Sequence, residues 1–149
     1  MNLARMIAGG FGSGLTSRAP GTAGSLAALV LGAGLITLSP WALPTAILLA
    51  CAAGWWAIPR ATDEHDPGWI VIDEFAGQWI ALLPLAAASP LGLLLAFALF
   101  RLFDIAKPGP IDAAQRLPGA TGVMADDILA GIAAAGLVWA TQSWWPALF

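Results

Sequence analysis

The stretch WIVIDEFAGQ, residues Trp69–Gln78, runs directly into the apolar segment IALLPLAAA. Together they predict a membrane-spanning helix that carries two adjacent carboxylates, Asp73 and Glu74. A charged side chain in such a helix costs about 3 kcal/mol or more unless it is paired, hydrated or bound to a metal. Two in succession therefore indicate a functional site, which the rest of the chain is expected to complete.

The composition of the 149-residue chain is typical of an integral membrane protein. Apolar residues make up 59% and charged residues 10%, against roughly 45–50% and about 25% in soluble domains, and the mean hydropathy is +0.80. We predict a single integral-membrane domain over residues 1–149. The net charge of −3, with no run of basic residues, argues against a nucleic-acid surface. Cys51 is the only cysteine, so no intrachain disulfide is expected.

The pattern of apolar segments predicts an all-α, polytopic fold with about five transmembrane helices. They are placed at about 22–38, 41–58, 69–88, 91–106 and 122–145, each close to the 20 residues that a crossing needs. Thr22 or Ser25 is expected to cap the first helix. Residues 1–21 are expected to form a short interfacial turn and a glycine-rich loop, and IDAAQR to form one turn within the loop 107–121.

The basic residues on the loops predict the orientation. They fall on alternate connections, at Arg5, Arg18, Arg60, Lys107 and Arg116, whereas the connections at 39–40 and 89–90 carry no charge. The positive-inside rule then places the N-terminus and both long loops in the cytoplasm. The polar site is accordingly predicted at the cytoplasmic face.

Two acidic pairs are candidate metal ligands. Asp73 with Gly77, and Asp127 with Gly131, share a D-x-x-x-G spacing that places acid and glycine on one helix face, where another helix can approach closely. Carboxylates without nearby His or Cys favour a hard cation, Mg²⁺ before others. The alternative is that these acids only complement helix dipoles. The predicted ligands are Asp73, Glu74, Asp126 and Asp127, which Glu64 or Asp66 of the intervening loop could join.

The fourth predicted helix carries Arg101, Asp104 and Lys107 at three-residue intervals, so they share a face. Asp104 is expected either to bind the metal or to orient the two cations toward a phosphate. The alternative is a local ion pair with side chains extended toward the interface. His65 is either a general acid or base or a solvated loop residue, and Gln78, one turn beyond Glu74, is a candidate partner of the acids.

The glycine-rich loop before the first helix could hold an anion through backbone amides and hydroxyls; alternatively it is only a flexible segment. The chain has no nucleotide-binding P-loop, no serine-hydrolase elbow and no zinc-protease motif. Metal-assisted chemistry on a phosphorylated group at the membrane surface is therefore the expected reaction type.

Three blocks of sequence resemble the phosphatidylglycerophosphatase A family. They are FGSGLTSRAPGTAGSL (11–26), HDPGWIVIDEFAGQWIAL (65–82), and FRLFDIAKPGPI (100–111) together with GVMADDILAG (122–131). The resemblance implies a Mg²⁺-dependent enzyme of the bacterial inner membrane that removes the terminal phosphate of phosphatidylglycerophosphate. Gln115 and the pair Gly119–Ala120 depart from the family pattern, which puts the role of their loop in doubt.

The resemblance also implies site residues. The family's acidic positions fall on Asp66, Asp73, Glu74, Asp104, Asp126 and Asp127, and its basic positions on Arg101, Lys107 and Arg116. Its glycine-rich motif falls on Gly12, Ser13, Gly14, Pro20, Gly21, Thr22, Gly24 and Ser25.

We therefore predict a phosphatase whose partner is a membrane lipid substrate, with neither nucleic acid nor a nucleotide cofactor. The expected reacting groups are Asp73, Glu74, Asp127, Lys107 and Asp104. The expected phosphate ligands are Gly12, Ser13, Gly14, Thr22, Ser25, Arg101, Lys107 and Arg116. The alternatives are a small ion or proton transporter subunit with a carboxylate relay and a non-catalytic membrane scaffold. A relay predicts acids throughout the membrane depth, whereas these gather at one face.

Overall fold

The computed structural model describes residues 2–64 and 67–146, whose regular secondary structure is all helical, with no strand among them. The helices are α1 (Leu3–Ala8), α2 (Pro20–Leu38), α3 (Ala42–Ala61), α4 (Ile72–Leu82), α5 (Pro90–Ala106), α6 (Pro110–Gln115) and α7 (Ala120–Trp144), with a 3-10 segment at Gly10–Leu15. The prediction of an all-α fold is confirmed.

Three helices, α2, α3 and α7, are long and apolar enough to cross a membrane. They contain 19, 20 and 25 residues, about the number needed for one crossing. Large apolar side chains such as Val30, Leu48 and Trp139 point away from the protein, as expected of surfaces that face lipid. Their length, composition and exposed apolar surface are those expected of membrane-spanning helices.

The predicted third span, residues 69–88, is wrong in its bounds, because α4 has only 11 residues. Pro84 has no amide hydrogen with which to continue the helix, and the Leu83 amide already donates to the Ile80 carbonyl at 3.1 Å in a tighter turn. At 1.5 Å per residue, α4 is about 16 Å long, roughly half of a bilayer core. The helix that carries Asp73 and Glu74 is therefore too short to cross a membrane by itself.

The N-terminal residues are more ordered than the expected turn and loop. The Asn2 side chain caps α1 by accepting a hydrogen bond from the Arg5 amide at 2.8 Å. The 3-10 segment is kinked where Phe11 and Gly12 take positive φ angles of 55° and 105°. The expected interfacial turn is thus the helix α1, and part of the expected glycine-rich loop forms a 3-10 segment.

Two predicted helix ends are wrong for reasons that involve proline. α2 begins at Pro20, with Ala19 as its N-cap, so neither Thr22 nor Ser25 is the cap. Proline suits the first helical position, where its missing amide hydrogen leaves no bond unmade. The second wrong end is the C-terminus of α3. The helix is predicted to stop before Pro59, but Pro59 lies within it and the helix continues to Ala61.

The last three helices lie close to their predicted positions. α5 and α7 start within two residues of the predicted bounds, and the expected turn in IDAAQR is α6. Ser89 caps α5 by accepting a hydrogen bond from the Gly92 amide at 3.1 Å. These helices are correctly predicted because proline or glycine marks each of their starts.

The short helix α4 lies in the middle of the protein, in contact with α2, α3, α5 and α7. Its closest neighbour is α7. A Cβ atom at Gly131 would overlap the Gly77 carbonyl oxygen, and a Cβ atom at Gly77 would lie 2.5 Å from the Asp127 carbonyl oxygen. The prediction that the two D-x-x-x-G glycines allow a close helix approach is confirmed.

Candidate active site at the start of α4

A polar cavity of about 300 Å³ lies where the first turns of α2 and α4 and the second turn of α7 meet the end of α5. Five of the six predicted acids and two of the three predicted basic residues line it. The lining residues are Pro20, Gly21, Gly68, Ile70, Asp73, Glu74, Arg101, Asp104, Ile105, Lys107, Asp126 and Asp127. The sixth acid, Asp66, and the candidate acid or base His65 lie outside the described residues.

Three carboxylates of the cavity can meet at one point. Asp73, Glu74 and Asp127 each offer an oxygen within 4.8 Å of the other two, and all three side chains are buried. Among the described residues, no group donates a hydrogen bond to Glu74 Oε2 or Asp127 Oδ2. Burying a charged carboxylate oxygen that accepts no hydrogen bond costs free energy unless a cation binds it. An all-oxygen, negatively charged donor set fits Mg²⁺ or a similar hard cation.

Asp126 is not a member of this cluster, as expected for a neighbour that is rotated by about 100° around the helix. It accepts a hydrogen bond from Lys107 Nζ, which also lies 3.5 Å from Asp104 Oδ1. Partial burial opposes the charge on Lys107, but the hydrogen bond and the negative charge of Asp126 outweigh it. The pKa of Lys107 is consequently raised above its usual range, so the side chain stays cationic.

Arg101 connects α5 to α2. Its guanidinium group pairs with Asp104 on its own helix. It also lies 3.3 Å from Ser25 Oγ through Nη1 and 3.4 Å from Thr22 Oγ1 through Nη2. The prediction that Arg101, Asp104 and Lys107 share a face is confirmed, because all three line the cavity.

The glycine-rich segment contributes to the cavity mainly through its last residues, Pro20 and Gly21. A Cβ atom at Gly21 would overlap Glu74 Oε1 and would lie 3.4 Å from Arg101 Nη1. Only glycine leaves room here for a carboxylate and a guanidinium group against the first turn of α2.

Gly12, Ser13 and Gly14 are not among the residues that line the cavity. Ser13 Oγ donates to the Gly10 carbonyl at 2.9 Å, and Gly14 packs so tightly on the Trp69 carbonyl that a Cβ atom would overlap it. Gly14 thus packs against the segment that precedes α4, and the role of Gly12, Ser13 and Gly14 toward phosphate stays a prediction.

Arg116 is also placed away from the cavity. It pairs with Asp112 one turn earlier on α6, and its side chain is 73% exposed. Its predicted role toward phosphate stays a prediction.

Sequence reasoning missed the apolar rim of the cavity, which Gly68, Ile70 and Ile105 form. The sequence offered only one indication that these residues line the cavity, namely that each lies within a few residues of a predicted acid or base. Gln78, expected as a partner of the acids, is fully buried. Neither of its amide atoms has a hydrogen-bond partner among the described residues.

Comparison with known proteins identifies the family. The sequence model of a family described as phosphatidylglycerophosphatase A matches residues 6–142. A phosphatidylglycerophosphatase A of Haemophilus influenzae is 42% identical and is aligned over 97% of this chain and 91% of the relative. The Escherichia coli protein of that name is 39% identical, over 95% of this chain and 84% of the relative.

A third relative, from Bacteroides thetaiotaomicron, is named as a candidate phosphatidylinositol-3-phosphatase and is 39% identical over 85% of this chain and 86% of its own length. No solved structure shows significant similarity to the chain. The family match includes every residue that lines the cavity, and the chain belongs to the phosphatidylglycerophosphatase A family.

Proposed function

We propose that the chain hydrolyses the terminal phosphate monoester of phosphatidylglycerophosphate, giving phosphatidylglycerol, with Mg²⁺ held by Asp73, Glu74 and Asp127. The lipid phosphatase activity follows from membership of the family. The single observation that carries the metal proposal is the meeting of three buried carboxylates within 4.8 Å. The gathering of the acids at one end of the helices also favours a surface reaction over the ion-relay alternative.

Charge balance supports a bound cation. Of the described residues, five carboxylates and two cationic side chains line the cavity, so the ionised carboxylates would leave three negative charges for a cation to offset. When bound there, Mg²⁺ would offset phosphate charge and lower the pKa of a coordinated water. The protein supplies the oxygen ligands, and their burial keeps competing water away.

Lys107 and Arg101 are the groups proposed to hold the phosphate oxygens as negative charge develops in the transition state. Asp104 lies between them and accepts a hydrogen bond from each. Because Asp104 already orients both cations, little reorganisation is needed when the substrate binds. We assign Asp104 this orienting role in preference to metal binding, and Asp126 the same role toward Lys107.

Release of inorganic phosphate from phosphatidylglycerophosphate in detergent tests the proposed function. With Mg²⁺ the purified protein is expected to release phosphate, and EDTA is expected to lower the rate at least about a hundredfold, because the carboxylate cluster then lacks its cation. Adding Mg²⁺ back should restore the rate. Phosphatidylinositol 3-phosphate is the comparison substrate, chosen because of the name of the third relative.

Each arm of this assay has a contrary result. Full activity in EDTA would reject the metal proposal. Release from phosphatidylinositol 3-phosphate alone would reject the proposed substrate while leaving the phosphatase class intact.

We also propose that the protein is a multi-pass protein of the bacterial inner membrane, with the cavity facing the cytoplasm. The starts of α2, α4 and α7 and the ends of α3 and α5 lie at the cavity side. Arg5, Arg60 and Lys107 belong to that side, which suits the positive-inside rule. The exposed Trp41, at the start of α3, and Trp144, at the end of α7, belong to the opposite side, where aromatic side chains anchor a protein. In a five-crossing arrangement, α4 and residues 83–89 together would make the third crossing.

Cysteine labelling in intact cells checks this orientation. In a Cys51→Ser background, Ser143→Cys at the end of α7 is expected to react with a membrane-impermeant maleimide. Ala113→Cys on α6 should react only after the cells are permeabilised, because both positions are exposed but lie on opposite sides. Labelling of Ala113→Cys in intact cells would reverse the proposed orientation.

A further inference from the structure

We propose that Ser25, assisted by Thr22, is a positioning residue that holds the Arg101 guanidinium group at the cavity wall and does not itself bind phosphate. The inference rests on the proposed function, because it concerns how a phosphate-binding side chain of that site is oriented. It changes the role that the family resemblance implies for the two hydroxyls.

The hydrogen-bonding capacity of Ser25 decides between the two roles. A serine hydroxyl has one hydrogen to donate and two lone pairs. In Ser25 that hydrogen is donated to the Gly21 carbonyl at 2.8 Å, so none remains for a phosphate oxygen. The lone pairs are left to accept from a donor, and Arg101 Nη1 lies 3.3 Å away. The hydroxyl is therefore arranged to receive a cation, not an anion.

Burial leads to the same assignment. Ser25 is fully buried and is not among the residues that line the cavity, whereas Arg101 is. A phosphate in the cavity would meet the guanidinium group before it could reach the serine. Ser25 thus supports Arg101 from behind, on the side away from the substrate.

Two supports on different helices fix the plane of the guanidinium group. Asp104 binds it from α5, and the Ser25 and Thr22 hydroxyls bind its two terminal nitrogens from α2. The planar fork of arginine has a fixed donor geometry, so two contacts on different sides restrict both its position and its rotation. Donors that are held in place before the reaction stabilise a developing charge without a cost in reorganisation.

The same turn of α2 also touches the proposed metal site. Gly21, whose carbonyl accepts the Ser25 hydrogen bond, is in contact with Glu74 Oε1. The Ser25 hydroxyl is therefore bonded to both parts of the site. It contacts Gly21, which lies against the proposed metal ligand Glu74, and Arg101, which is proposed to hold phosphate. Displacing that turn would alter the distance between the two.

A double-mutant cycle on kcat/KM tests the proposal, with Ser25→Ala, Arg101→Lys and the double variant. In the otherwise native protein, Ser25→Ala is expected to lower kcat/KM about tenfold, the effect of losing one hydrogen bond to a charged group. In the Arg101→Lys background the same change should cost less than about twofold, because the guanidinium fork is already absent. An equal loss in both backgrounds would mean that Ser25 acts on the substrate directly, and no loss in either would mean that it has no role. Either result overturns the proposal.

Thermal unfolding of the same four proteins in detergent separates this inference from the proposed function. If the native protein releases no phosphate, the proposed function fails, yet the unfolding cycle still tests the contact. Ser25→Ala should lower the unfolding temperature, and most of that loss should vanish when Arg101 is lysine; equal losses would contradict the contact.

Thr37→Ala is the matched control. The Thr37 hydroxyl makes the same kind of bond on the same helix, to the Gly34 carbonyl at 2.7 Å, but at the end of α2 away from the cavity. The substitution Thr37→Ala is expected to leave kcat/KM within about twofold of the native value, since a neutral surface hydrogen bond contributes little.

Discussion

Replacing Asp127 with asparagine is expected to lower kcat for phosphate release about a thousandfold while leaving the protein folded. Asparagine keeps the shape of the side chain but removes one of the three charges that would hold the cation. Loss of metal-based stabilisation worth about 4 kcal/mol corresponds to three orders of magnitude in rate. The unfolding temperature should not fall, because the change relieves repulsion among Asp73, Glu74 and Asp127, which are crowded and buried.

Mn²⁺ binding, followed by electron paramagnetic resonance, gives a readout of Asp127→Asn that does not depend on turnover. The variant is expected to lose affinity for the ion by at least about tenfold. The matched control is Asp112→Asn on α6, which removes an acid paired with Arg116 outside the cavity. It should change neither the affinity for Mn²⁺ nor the rate of phosphate release. Lost activity with unchanged Mn²⁺ affinity would keep Asp127 in the reaction but move the metal elsewhere. Unchanged activity would remove it from both roles.

The second large effect is expected from Gly131→Ala, which should destabilise the protein by about 1–3 kcal/mol, and by more if the helices cannot separate. The added Cβ atom would overlap the Gly77 carbonyl oxygen of α4. That oxygen belongs to a helix backbone and cannot rotate away as a side chain can, so α7 would have to move. Because Asp127 lies one turn from Gly131 on α7, the movement should also lower the rate of phosphate release.

Gly136→Ala provides the control on the same helix. No heavy atom lies within 4 Å of its added Cβ atom, so the higher helix propensity of alanine should raise stability by up to about 1 kcal/mol. The unfolding midpoint in detergent and the phosphate-release rate are measured for both variants. Equal midpoints for the two would show that the α4–α7 contact is looser than the structure has it.

The bounds of α4 illustrate what hydropathy alone could not give. Residues 69–88 are apolar enough to suggest a crossing, but Pro84 ends the helix at Leu82. A helix that is buried on all sides by its neighbours also has an apolar sequence all round. Pro84 was the one indication that the helix ends early. The apolar residues on both sides of it made the segment look like one continuous span.

The acids of the site were easier to predict than the groups that hold phosphate. Asp73 and Asp127 were identifiable because a charge in an apolar helix is rare and must be explained. The position of Gly14 depends instead on its packing against Trp69, a distant residue that no local pattern reveals. Arg116 is different again, since its spacing of four residues from Asp112 already favoured a local ion pair on α6.

The shortness of α4 has a consequence for how the protein is made. An 11-residue helix with two acids in its first turn and the buried Gln78 in its middle is a poor substrate for membrane insertion on its own. It becomes stable only when α5 and α7 are present to surround it, and both follow it in the chain. Most of the protein must therefore be synthesised before α4 can pack in its final position. An incomplete chain would bring Asp73 and Glu74 into the membrane without Asp127, so the cluster of three carboxylates would form only late in assembly.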